Sequence, residues 1–270
     1  MLWVSDVHGS LYAMQSVPCV FDDEAAVIIL GDVGFNYYLN KRDEDTKEII
    51  INTTQCYYDC LRGNHEARPQ SINGMQKIYD ENVQNWVYME PKYPRIRYFL
   101  DYGIYMIGNY RVAIIGGAYS VDKWYRLARA GLCEGNNDPK ISGWFSDEQL
   151  TPEEMKDAEL LFETSPEFDF VMSHTAPFAM RPFDKFLSFI EQSEVDTTME
   201  KWLEELRHKI KIRYAWLMGH YHIDRIEDLH FEYFYYDIEN IENVAKRWRE
   251  YNETQILNTR RNLAPCLLCT

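Results

Sequence analysis

Leu2-Trp3-Val4-Ser5-Asp6-Val7-His8-Gly9 is a short apolar run that breaks off into a carboxylate, an imidazole and a glycine. The same transition recurs four times. Val27-Ile28-Ile29-Leu30 leads into Gly31-Asp32, and Tyr57 to Arg62 leads into Gly63-Asn64-His65-Glu66. Phe168 to Ser173 leads into His174, and Tyr214 to Met218 into Gly219-His220-Tyr221-His222. A continuously apolar, β-branched run such as 27–30 reads as a strand covered on both faces. Carboxylate, imidazole and amide oxygen are the ligand types of a hard-to-borderline divalent metal pair. Groups running from Asp6 to His222 can share one site only if the fold gathers strand ends. Open α/β sheets do this at their carboxyl edges.

The histidines point the same way. The chain has seven, and five of them (His8, His65, His174, His220, His222) sit in these junctions. His208 and His230 fall outside. A lone buried histidine is more often a satisfied polar group than a ligand. The joint set, each member after an apolar run, argues for a site.

In order, D-x-H, G-D, G-N-H-E, H and G-H-x-H resemble the motifs of the calcineurin-like metallophosphoesterase family, from Asp6 to His222. The resemblance implies an α/β fold: an αββα sandwich of two mixed β-sheets flanked by helices, with a dinuclear metal site at the strand carboxyl ends. It implies that one metal takes Asp6, His8, Asp32 and His222. The other takes Asp32, Asn64, His174 and His220, with Asp32 bridging. A bridging carboxylate suits two cations about 3.5–4 Å apart. His65 is then not a ligand but the general acid that protonates the leaving alkoxide, and the nucleophile is a metal-activated hydroxide. Manganese is the first choice of metal, with Fe, Zn, Ni and Co also accepted by N/O ligands.

The chain departs from the pattern after Asp32. Many members have an Asp three residues on, which orients the catalytic His; here that position is Phe35. The protein phosphatases of the family follow it with a phosphate-gripping Arg; here that residue is Asn36. Glu66, Asn36 or a backbone carbonyl is expected to orient His65 instead. Leu61 to Glu66 resembles the protein phosphatase motif, whereas G-H-x-H resembles the branch of small phosphodiesterases and nuclease-type members. A phosphodiesterase or phosphomonoesterase is the first reading. A serine/threonine protein phosphatase-like enzyme and a non-catalytic binding module on the same fold are the alternatives. Arg68, Tyr119, Lys123, Arg126 and Arg181, each in a loop near a motif, are candidate substrate contacts.

The rest of the chain is read for organisation. Ser10 caps a short helix to Gln15, 43–52 reads as helix, and Cys56 to Leu61 as the third strand. Runs 96–100, 104–107 and 111–115, split by Asp101-Tyr102-Gly103 and Gly108-Asn109-Tyr110, read as one meander of hairpins that builds a second sheet. Residues 128–148 read as irregular. Thr151-Pro152-Glu153-Glu154 starts a helix to Glu163, 194–209 is a second amphipathic helix, and 231–238 is a last aromatic strand. Loops 35–42, 67–95, 118–148 and 175–193 are long. Residues 1–238 are expected to form the catalytic domain, with 239–270 appended as a helix and tail.

Composition bounds the partners. With 270 residues and 46% hydrophobic content the chain can bury a large core. The net charge of −15 works against long nucleic acid and anionic lipid, but not against a phosphorylated small molecule or nucleotide held by cations. No apolar run approaches the roughly 20 residues that span a bilayer. A strand and a ligand stand where a signal peptide would lie, so a cytoplasmic location with reduced cysteines is expected. Cys56 and Cys60 read as packing residues. Cys266-Leu267-Leu268-Cys269 lacks the second pair that a zinc ribbon needs. The oligomeric state is open.

Overall fold

The computed structural model describes residues 2–21, 26–186, 188, 190–227 and 230–263. In chain order the strands are β1 (Leu2–Val4), β2 (Ala26–Ile29), β3 (Tyr57–Cys60), β4 (Gln76–Asp80), β5 (Asn85–Met89), β6 (Ile96–Phe99), β7 (Tyr102–Ile107), β8 (Tyr110–Ile115), β9 (Glu167–Ser173), β10 (Lys211–Met218), β11 (Arg225–Ile226), β12 (Phe231–Tyr233) and β13 (Glu239–Asn240). The helices are α1 (Leu11–Phe21), α2 (Lys41–Thr53), α3 (Lys123–Ala130), α4 (Pro139–Ser142), α5 (Pro152–Glu163), α6 (Thr198–Arg207) and α7 (Ile241–Leu263).

Two mixed sheets result, ordered β13-β1-β2-β3-β6-β5-β4 and β11-β12-β10-β9-β8-β7. Strand alternation explains the layers. Ile28 and Leu30 point inward, to a cluster with Ile114, Met172 and Leu217 of the other sheet. Val27 and Ile29 point outward, to Met14 of α1 and Ile50 of α2. Behind the second sheet, Ala113, Ile115, Val171 and Trp216 pack on Ala158 and Phe162 of α5 and Leu203 and Leu206 of α6. Successive side chains of a strand covered on both faces thus feed two different cores. Each fully buried Val, Ile or Leu contributes roughly 1.5–3 kcal/mol. The architecture is the αββα sandwich expected.

Register places the junctions. Val4 pairs with Ile29 and Ile29 with Cys60, all in parallel. In the other sheet Ile115 pairs with Ser173 and Ser173 with Met218, again in parallel. The carboxyl ends of these strands therefore stand in two facing rows, and the residues just beyond them meet.

Several elements differ from the sequence reading. The expected meander is divided: β6 runs parallel to β3 in the first sheet, while β7 and β8 form a hairpin in the second. The chain changes sheets at Asp101, whose carbonyl accepts from Gly116 N and whose carboxylate holds Arg62 and Arg68. The loop read as 67–95 contains the β4–β5 hairpin, and the segment read as irregular contains the end of α3 and all of α4. The last aromatic strand stops at Tyr233, and α6 is shorter than 194–209. The α5 start is as read, a capping box between Thr151 and Glu154 with Pro152 in the first turn. Ile241, Val244, Ala245 and Trp248 of α7 lie in the same inter-sheet cluster as Ile28. Cys56 and Cys60 are buried in the outer core of the first sheet; the Cys266–Cys269 pair lies outside the described residues. No helix among the described residues is long and apolar enough to cross a membrane.

Candidate metal centre

The junction residues adopt an unusual backbone. Asp6, His8, Asp32, His220 and His222 all have positive φ, between 46° and 70°. For residues with a Cβ this costs of order 1–3 kcal/mol each. Such strain persists only where surrounding structure imposes it, and here it turns five polar side chains off their strands into one space. Close packing enforces the neighbouring glycines. A Cβ on Gly31 would run into the His174 ring, and one on Gly63 into the Asp32 carboxylate.

Each carboxylate has one oxygen tied down and one aimed inward. Asp6 Oδ2 accepts from Ser5 Oγ at 2.5 Å and His220 N at 2.9 Å. Its Oδ1 is buried with no hydrogen-bond partner among the described residues. Asp32 Oδ1 accepts from His65 N at 2.8 Å. Its Oδ2 faces His174 Nε2 at 3.6 Å and His8 Nε2 at 3.9 Å. The same rule holds for neutral groups. His174 Nδ1 is 2.7 Å from the Leu30 carbonyl, to which it donates, leaving Nε2 directed inward. Asn64 Nδ2 donates to Ser120 Oγ at 2.8 Å, leaving Oδ1 directed inward.

The inward atoms then converge. Asn64 Oδ1 is 3.0 Å from His174 Nε2 and 3.1 Å from His220 Nδ1. His222 Nε2 is 3.5 Å from Asp6 Oδ1 and 3.3 Å from His8 Nε2. Atoms each about 2.1 Å from one metal would lie about 3.0–3.4 Å apart. Acceptors facing one another at such separations repel unless positive charge lies among them. Asp6, His8 and His222 form one group that could hold an ion, and Asp6, Asp32 and His174 another. The donor set of carboxylate, amide oxygen and imidazole suits a divalent cation.

Electrostatics makes the same demand. Burial works against charge on His174, but Asp32 and Asp6 outweigh it and push its pKa up to about 9. Burial, then the His174 charge, drive His220 down to about 3. The two buried carboxylates call for positive charge beside them, and proton and divalent cation compete for that place.

His65 sits over this cluster, 18% exposed, with Nε2 3.9 Å from Asp32 Oδ2 and 3.5 Å from Arg126 Nη2. Burial and the Arg126 charge hold its pKa below the ordinary histidine value, against the pull of Asp32. The expected supports are absent. Glu66 Oε1 accepts from Gly63 N, Asn36 Oδ1 accepts from Lys47 Nζ, and His65 Nδ1 is buried without a hydrogen-bond partner among the described residues. Phe35 is packed in the outer core edge-on to Tyr58. Instead His65 is framed by the rings of His8, at 5.4 Å, and Tyr37, at 6.2 Å.

Of the candidate substrate contacts, Arg126 alone approaches His65. Its Nε donates to Asp122 Oδ2 at 2.7 Å, and Nη1 donates to Tyr37 Oη at 2.6 Å and the Gly143 carbonyl at 3.0 Å. Tyr119 lines a separate cavity of about 580 Å³ between the 119–125 and 190–195 segments. Arg68, expected at the substrate, is buried and spends its nitrogens on Asp101, Glu154 and the carbonyls of Asp147 and Gln149. Lys123 likewise turns to Glu134 and the Trp144 ring, and Arg181 to Glu200. Closeness in sequence to a motif set no direction for these long side chains. Tyr37, Ser120 and Glu148 are site residues that the sequence did not disclose. Glu148 accepts from Ser120 N at 2.9 Å and Ser120 Oγ at 2.5 Å, completing a relay that orients Asn64.

Two facing sheet edges that present buried carboxylates, an amide oxygen and imidazoles to one point define the scaffold of a metal-dependent hydrolase. The open side, occupied by His65 and Arg126, suits an anionic substrate. The chain belongs to the calcineurin-like phosphoesterase family, whose sequence model matches residues 1–224 and so spans every junction described. No curated protein matches the chain. Members of this family are metal-dependent phosphoesterases.

Proposed function

We propose that the chain hydrolyses a phosphodiester or phosphomonoester of a small molecule or nucleotide at a dinuclear centre. Asp6, His8, Asp32 and His222 hold one cation, and Asp32, Asn64, His174 and His220 the other. The observation that carries this is the convergence of inward acceptor atoms, with the other ends of Asp6, Asp32, His174 and Asn64 anchored. Two divalent cations bound there, manganese first among the candidates, supply an activated water and neutralise phosphoryl charge.

The chain's own residues do the rest. Arg126 binds a non-bridging phosphoryl oxygen with the Nη2 edge that faces His65. Once an anion offsets that guanidinium, His65 can carry the proton that it passes to the leaving oxygen. Tyr37 and the Gly143 carbonyl hold Arg126 in place. The protein phosphatase reading loses support, because Arg62 is buried on Asp101 and Glu148 and Asn36 is committed to Lys47. We take residues 1–238 as the domain proper, with β13 and α7 of the segment beyond packed onto it. Cys60 and Cys133, which form no disulfide among the described residues, suit a cytoplasmic, reducing location.

The test is hydrolysis of bis(p-nitrophenyl) phosphate and p-nitrophenyl phosphate by metal-stripped, Mn²⁺-reloaded protein, wild type against His65→Ala. Turnover falling about 10²–10⁴-fold with metal content retained supports the assignment. Undiminished turnover in the variant rejects His65 as the acid. Two bound metals with neither ester cleaved by the wild type reject the enzyme reading in favour of a binding module.

A further inference from the structure

The mouth above His8 and His65, walled by Tyr37, Tyr38 and Arg126, adjoins a second cleft of about 460 Å³ that shares those three residues. The second cleft continues past Arg129 to Lys140. Arg126 and Arg129 are three apart on α3, so they share a helix face with about 5–6 Å between their Cβ atoms. Arg129 and Lys140 are exposed and form no salt bridge among the described residues. That is notable in a chain of net charge −15, where Arg126, Lys123 and Arg181 all have carboxylate partners. The one carboxylate on the cleft wall, Asp122, is already engaged by Arg126 Nε at 2.7 Å. The cavity on the other side of α3 has the opposite character, with Glu191 and Glu194 beside Val121, Trp124 and Ile190.

Resting on the phosphoesterase reading above, we infer that the cleft past Arg126 is a subsite for a further phosphoryl group, and that the substrate is a polyphosphorylated molecule. Arg126 meets the phosphoryl group at the metals. Arg129 and Lys140 meet the next one or two along the chain, at the distance that one helical turn sets. Cations without internal partners give up no ion pair when a substrate anion arrives, so they favour binding more than paired ones do. Tyr125, 65% exposed on the same wall, offers an apolar face for whatever the polyphosphate carries. The acidic cavity repels such a chain, so the substrate leaves the metal site on the Arg129 side.

The experiment is titration calorimetry of the Mn²⁺-loaded full chain with orthophosphate, pyrophosphate and tripolyphosphate, with free Mn²⁺ held constant and in excess of the probe. Wild type and the double variant Arg129→Ala, Lys140→Ala are compared, and p-nitrophenyl phosphate turnover is followed in both. Both substitutions are at exposed positions and are expected to leave the fold intact. The expected result is tripolyphosphate binding about tenfold or more tighter than orthophosphate in the wild type. The double variant loses that advantage while its orthophosphate affinity and aryl phosphate turnover stay unchanged. Equal affinity for all three probes in the wild type, or an equal loss for all three in the variant, overturns the subsite. Normal aryl phosphate turnover beside either result confines the failure to the subsite. Absent turnover together with absent orthophosphate binding overturns the phosphoesterase reading and the subsite with it.

Discussion

Arg126 Nη2 lies 3.5 Å from His65 Nε2, so a guanidinium and an imidazole share the open side of the carboxylate–histidine cluster. The arginine is held from three directions, by Asp122, Tyr37 and Gly143, and arrives already oriented. In the proposed reaction this preorganised positive charge stabilises the phosphoryl charge as it builds.

Arg126→Ala is expected to lower kcat by about 10²–10³-fold while leaving bound metal unchanged. Arg126→Lys recovers little of this, because an ammonium cannot bond Asp122, Tyr37, Gly143 and a phosphoryl oxygen together. Steady-state kinetics with metal analysis checks both variants; a wild-type rate in Arg126→Ala would remove it from the site.

Ser120→Ala leaves Asn64 Nδ2 without its acceptor and frees the amide to rotate. Affinity for the second cation is expected to drop about 10–100-fold, the usual effect of losing an outer-shell partner. Excess Mn²⁺ restores activity in this variant but not in Asn64→Ala. A titration of activity against metal concentration separates the two.

Glu148 gives a pH signature. Burial pushes its pKa up to about 7, against the hydrogen bonds from Ser120. The folded state therefore prefers the protonated carboxyl. The stability this contributes is fully present below the unfolded value of about 4.3 and is lost as pH rises through about 7. Glu148→Gln is expected to flatten the fall in unfolding free energy over that window, as read by urea melts at pH 4.5, 6 and 8. Parallel pH curves for wild type and variant would show that Glu148 is not the titrating group.

Arg68→Ala is expected to destabilise the fold by about 3 kcal/mol, since it strips a partner from the buried Asp101 carboxylate. Turnover per folded molecule stays unchanged. Burial alone would raise the Asp101 pKa, but Arg62 and Arg68 hold it below the ordinary carboxylate value. That stabilisation is present above about pH 3.9 and is lost as pH falls through the lowered pKa, so wild type and variant converge in acid. A specific loss of activity with unchanged stability would instead return Arg68 to the substrate.

Divalent cation is expected to raise the melting temperature, with about 2.7 kcal/mol gained at a hundredfold excess over Kd. Asp32→Ala should abolish that response, because its inward oxygen faces both His8 and His174. Differential scanning calorimetry with and without chelator reads the effect directly.

Much of this was legible in the chain itself. An apolar run covered on both faces has a distinctive texture, and 27–30 shows it. Five such runs ending in carboxylate, amide or imidazole announce both the parallel edges and the site, because strand ends are the only places where groups from Asp6 to His222 can meet. The α5 start was legible because a capping box is local: Thr151 and Glu154 satisfy each other within one turn. The resemblance to the family's motifs likewise exposed Phe35 where many members have the Asp that orients the catalytic histidine.

What the sequence could not decide depends on partners distant along the chain. Whether β6 joins β3 or β7 depends on which edge offers unpaired backbone groups, and only the assembled sheets determine that. The direction of a long side chain is likewise chosen by tertiary neighbours. Arg68 follows the Asn64 motif yet turns to Asp101, whereas Arg126, on α3 and with no motif of its own, reaches His65 because Tyr37 and Gly143 hold it there. The chain by itself determined the ligand-bearing strand ends, since backbone periodicity and hydrophobic burial act locally. The tertiary structure alone decided what surrounds them, since loop side chains are oriented by contacts that exist only once both sheets have closed on their common core.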